Sequence, residues 1–164
     1  MRHYPCFVLS GKPLALVERL QSLMLGSQAG LEFRVPEPPA HLTLMAPMAI
    51  DPSILRSAIR EFESAFYKIS LSPQLGIYND TVKIDLAPAS PELIALRMKL
   101  GASECVASIP LHVTLFKDVD RPGTLLYWIQ RNDIDISSML DRSGYSYDVL
   151  IPSGPPVQRS KARM

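Results

Sequence analysis

Two hydrophobic periods alternate along this chain and predict its elements. Apolar residues run together from Cys6 to Leu9, the mark of a short buried strand. Gly11-Lys12-Pro13 then opens a helix, because the missing N–H of proline is harmless in a first turn. Leu16, Val17, Leu20, Leu23 and Met24 recur at helical spacing, and Gly26 is the stop. Leu31–Val35 reads as a strand, and Pro36, Pro38 and Pro39 make the next stretch a loop leading into His41. His41–Met45 reads as a strand. Asp51-Pro52 is a cap-plus-proline start for a second helix with the stripe Leu55, Ala58, Ile59, Phe62 and Phe66.

The second half repeats this grammar. Ile69–Ile77 reads as extended, with Pro73 confining it to a sheet edge, and Asn79-Asp80 as a turn. Over Thr81–Leu86, apolar Val82, Ile84 and Leu86 alternate with Lys83 and Asp85, the pattern of a half-buried strand. Ser90-Pro91-Glu92 starts a third helix, which carries Leu93, Leu96 and Leu100 and ends at Gly101. Leu111–Phe116 reads as a strand, Thr124–Gln130 as a short helix and Tyr145–Ile151 as a last strand. Pro13 and Pro91 each open a helix between strands, and a loop separates each of these helices from His41 or His112. The pattern predicts a pseudo-duplicated α+β protein, two lobes facing each other, as one bilobal domain over residues 1–151. From Pro152 to Met164 the chain is rich in Pro and Ser, with Arg159, Lys161 and Arg163, and reads as a disordered basic tail.

Two four-residue copies carry the candidate chemistry: His41-Leu42-Thr43-Leu44 and His112-Val113-Thr114-Leu115. The chain has only three histidines, and with four threonines in 164 residues chance places Thr two positions after two of them roughly two times in a thousand. Residues i and i+2 of a strand share a face, so His41 points with Thr43 and His112 with Thr114. Two such strands side by side bring two imidazoles and two hydroxyls to one anion. Imidazole titrates near neutral pH, so one ring takes a proton from an attacking oxygen while the other gives one to a leaving oxygen. The threonine hydroxyls suit the non-bridging oxygens of a phosphate.

These motifs resemble the signature of the two-histidine (2H) phosphoesterase superfamily, a pair of His-x-Thr-x motifs on facing lobes, and the element order over residues 4–151 is similar too. The resemblance implies a fold of two antiparallel sheets around a central groove with helices outside. It also implies metal-independent cleavage of a nucleotide or oligonucleotide phosphodiester, often through or from a 2′,3′-cyclic phosphate, with His41, Thr43, His112 and Thr114 as catalytic residues. The stretch from Asp80 through Ala102 into His112 looks most like branches that act on signalling oligonucleotides. These include phage enzymes that degrade cyclic nucleotides of bacterial immunity and viral enzymes that cut 2′,5′-oligoadenylate.

Other residues refine or exclude. Candidates for substrate binding are Tyr4 and Phe116 as base-stacking rings, and Arg34 and Lys117 as phosphate-steering cations beside the motifs. His3 lacks a following threonine and reads as a surface residue. Asp80, Asp85 and Asp118 read as turn or surface residues. Three histidines and two scattered cysteines form no ligand set, so neither metal nor other cofactor is expected. No Gly-x-Ser-x-Gly supports a serine nucleophile, and no phosphate-binding Gly-Lys-Ser/Thr loop supports a ligase. A formal net charge of +1 disfavours long duplex nucleic acid. No apolar run reaches 18 residues, and Pro5 interrupts the short stretch after Arg2, so neither a membrane span nor a signal peptide is expected. Cys6 and Cys105 read as free thiols of a reducing compartment, which places a monomer in the cytoplasm. The competing reading is a catalytically inactive module that binds phosphate or RNA ends.

Overall fold

Val82, Ile84 and Leu86, the apolar half of the alternating run, are fully buried, while Lys83 and Asp85 between them stay partly open. That alternation sets the plan of the molecule. The computed structural model describes residues 1–27 and 30–152. Its six strands are β1 (Tyr4–Leu9), β2 (His41–Thr43), β3 (Gln74–Tyr78), β4 (Thr81–Ala87), β5 (Leu111–Phe116) and β6 (Tyr145–Leu150). They form one open sheet in the order β3-β4-β5-β2-β1-β6, antiparallel throughout. The expected pair of sheets is therefore corrected to one. Leu42 of β2 pairs directly with Val113 of β5, so backbone hydrogen bonds join the two halves where a groove between separate sheets was expected.

The helices are α1 (Gly11–Leu25), α2 (Pro52–Ser57), α3 (Ile59–Lys68), α4 (Pro91–Lys99), α5 (Glu104–Ala107) and α6 (Pro122–Arg131). Val17 and Leu20 of α1, Phe62 and Phe66 of α3, Leu93 of α4, and Leu125 and Ile129 of α6 join Leu42, Val113 and Ile84 in a single buried cluster. Two predicted starts are seen in atomic detail. The Asp51 carboxylate accepts from Ser53 N–H at 2.8 Å, and Ser90 Oγ accepts from Leu93 N–H at 3.1 Å, with Pro52 and Pro91 in the first turns. Each such cap is worth about 1 kcal/mol.

Two local expectations fail and one helix was unforeseen, each for an identifiable reason. Leu31–Val35 forms no strand. Only Arg34 bridges to Lys117, through two backbone bonds of 2.8 Å, because the prolines that follow cannot donate to a longer ladder. The second helix breaks at Ala58 into α2 and α3. Helix α5 was not foreseen, since four residues are too few to show a period. The expected tail lies, from residue 153 on, outside the described residues. No helix among the described residues is long and apolar enough to cross a membrane.

Candidate active site

The two central strands of the sheet are the two that carry the motifs. Antiparallel pairing at Leu42 and Val113 sets His41 opposite Thr114 and Thr43 opposite His112 when the register is continued by one residue each way. Leu42 and Val113 are fully buried in the core, so the two histidines and two threonines project from the other face, where all four are half-buried.

Both rings are anchored alike. His41 Nδ1 donates to the carbonyl of Pro39 at 2.8 Å, and His112 Nδ1 to that of Pro110 at 3.0 Å. A carbonyl only accepts, so the Nδ1 position carries hydrogen in each neutral ring and Nε2 is left with its lone pair. The shared unit is therefore longer than four residues. It runs Pro39-Ala40-His41-Leu42-Thr43-Leu44 and Pro110-Leu111-His112-Val113-Thr114-Leu115, and the prolines were readable in the sequence. The Tyr4 hydroxyl approaches His41 Nε2 at 3.4 Å, with ring centroids 5.4 Å apart. Burial pushes the phenol above its ordinary pKa, so it stays protonated and points a donor at that nitrogen.

Charge enters from both flanks. On β4, Lys83 pairs with Thr114 and Asp85 with His112, and the register slips on either side of this stretch. Lys83 Nζ lies 2.9 Å from Asp85 Oδ1. Gly76 of β3 lies under this carboxylate; a β-carbon there would come within 2.9 Å of Asp85 Oδ2. Asp85 thus belongs to the site face, where it was expected at a turn or surface. Asp80 does occupy a turn, and Asp118 pairs with Arg34 at 3.1 Å. Sequence reasoning also missed Arg97, which is 2% exposed. From α4 it donates to Leu44 O at 2.5 Å, Ala107 O at 2.8 Å and Ile109 O at 2.6 Å. One guanidinium thus ties the exit of the first motif to the entrance of the second.

These surroundings hold both imidazoles below the ordinary histidine pKa, chiefly through burial. For His41 the bond to Pro39 works against burial and Lys117 adds to it. For His112 the bond to Pro110 works against burial, Lys83 and Arg97 reinforce it, and Asp85 opposes it.

Two clefts open on the first motif. One of about 440 Å³ lies between α1 and the loop at residues 35–40, and one of about 300 Å³ lies toward Tyr4 and Leu150. His41, Thr43 and Lys117 line both. Tyr4 lines the smaller cleft. Arg34 is committed to Asp118. Phe116 is withdrawn from any ligand, since it is 0% exposed with its ring packed edge-on against Phe33 at 4.9 Å. The reason is the bulge in β5, which turns it inward beside Leu115. His3 is half-buried, paired through its backbone with Met48, and lines neither cleft. Among the described residues no group of three or more His, Cys, Asp or Glu side chains could hold a metal ion. Cys6 and Cys105 are free thiols. No protein-family model and no curated protein sequence matches this chain.

Proposed function

We propose that this protein is a two-histidine phosphodiesterase that cleaves a nucleotide or short oligonucleotide phosphodiester without metal. The observation that carries the reading is the pairing of β2 with β5. It sets two identically anchored histidines on adjacent strands, each across from the other motif's threonine.

Catalysis follows from these groups. One imidazole, neutral and unprotonated at Nε2, accepts the proton of a ribose hydroxyl next to the scissile phosphorus. The hydroxyl oxygen attacks phosphorus, the bond to the leaving oxygen breaks, and the other imidazole, protonated, delivers its proton to that oxygen. Thr43 and Thr114 donate to the non-bridging oxygens as charge gathers there. The two histidines have then exchanged protonation states. Water attacking the resulting cyclic phosphate, with the roles reversed, restores them. An internal nucleophile suits this site because proximity supplies several kcal/mol without further machinery. Three strands on each side of the β2–β5 seam are consistent with a duplicated origin, which belongs to the same reading.

The test is turnover of 2′,3′-cyclic nucleotides, 2′,5′-oligoadenylate and cyclic di- and trinucleotides by chelator-treated protein. Activity should survive EDTA, and His41→Ala and His112→Ala should each lower kcat by about 10²–10⁴ while the fold persists. Turnover that needs added zinc or manganese, or a histidine variant of near-normal rate, sinks the proposal. Binding without turnover would leave only a phosphate-binding module.

A further inference from the structure

We infer that the larger cleft is a nucleobase subsite selective for guanine, read by Glu18 and Gln21. The inference rests on the phosphodiesterase reading for its phosphate end, and it names the substrate class.

One wall of this cleft is a stripe of α1. Leu14, Glu18 and Gln21 are spaced i, i+4, i+7 and all line it. Gln21 donates its Nε2 to the carbonyl of Leu115 at 3.2 Å. That carbonyl can only accept, which fixes the amide orientation and leaves Oε1 as an acceptor. Glu18 is exposed and, among the described residues, makes no ion pair. The wall therefore offers a carboxylate and an amide oxygen, both acceptors. The same cleft is lined by His41, Thr43 and Lys117, which suit an anion. Leu14, Val35 and Pro36 of the same lining suit the faces of a planar ring. The lining asks for a ligand that carries both a phosphate and a hydrogen-bond donor edge.

Among the common bases only guanine has two adjacent donors, N1–H and the 2-amino group, that match a carboxylate in parallel. Adenine and cytosine set an acceptor nitrogen beside their amino group. Uracil flanks its single N–H with two carbonyls. Each of these three would press a lone pair against Glu18.

Titration calorimetry of the full chain with the 3′-monophosphates of guanosine, inosine, adenosine, cytidine and uridine tests this. Guanosine 3′-monophosphate should bind on the order of tenfold tighter than the adenosine, cytidine and uridine nucleotides, the worth of one charge-assisted bond. Inosine, which lacks the 2-amino group, should fall between. Glu18→Gln, a change at an exposed helix position that an unchanged melting temperature certifies as folded, should erase most of the guanine preference. Equal binding of all five, a preference for another base, no binding, or a guanine preference untouched by Glu18→Gln overturns the inference. Base-blind binding alongside cleavage that depends on His41 defeats this inference alone. Guanine-selective binding with no such cleavage supports the subsite and defeats the phosphodiesterase reading.

Discussion

An imidazole that takes up a proton in a half-buried site loses part of the hydration that would stabilise its charge, and both histidines here lie below their ordinary pKa for that reason first. In the proposed mechanism the competent free protein carries one proton on the pair. That form is most populated between two apparent values that both lie under the usual value of about 6.5. The pH profile of kcat/KM should therefore be a bell centred on the acid side of pH 6.5. A bound phosphate favours protonation, so the profile of kcat should move to higher pH. Rates measured across about pH 4.5 to 8 check both, and a kcat/KM that climbs to an alkaline plateau would refute the pairing of acid and base. The four motif residues were legible in the sequence because rare residue types recur at one spacing. Pro39 and Pro110 were equally legible, two positions upstream. Asp85, Arg97 and Gln21 were not, because each matters only through a partner brought to it by the sheet: His112, Leu44 and Leu115.

Helix α4 matters to the site through a single side chain. Arg97 donates to three carbonyls, one just past β2, one at the end of α5 and one in the α5–β5 connection. Burial brings its pKa down to about 10, so it remains a cation at neutral pH. Replacing it with methionine should keep much of the volume while stranding those carbonyls, at a cost of about 2–4 kcal/mol. Denaturant unfolding measures this, and a loss under about 1 kcal/mol would show that the clamp is dispensable. Strands and helices with a full period, such as β4 and α1, could be read from the chain. Short elements defined by a neighbour could not. α5 is one turn long, and residues 31–35 look like a strand but meet Lys117 at one position only.

Across the whole molecule, the continuous sheet bears on cooperativity. Phe7 and Val17, from the first half of the chain, share one buried cluster with Ile84 and Leu125 from the second, and β2 is bonded to β5. Two lobes with separate cores would melt separately; this arrangement should unfold in one step. Trp128, the only tryptophan, sits on α6, which packs against β3 and β4. Its fluorescence reports that side, and far-UV circular dichroism reports the whole chain. Their urea midpoints should coincide, and separated transitions would show independent halves.

Gly76 lies on an edge strand, bears no functional group and touches neither histidine's strand. Yet the space it leaves is occupied by the carboxylate that pairs with Lys83 and faces His112. Any larger residue there displaces Asp85 and changes the charge that His112 feels. The working acidity of the site is thus open to inheritance through a position outside it. Lineages carrying a side chain at 76 would drift in pH range while keeping every motif residue intact.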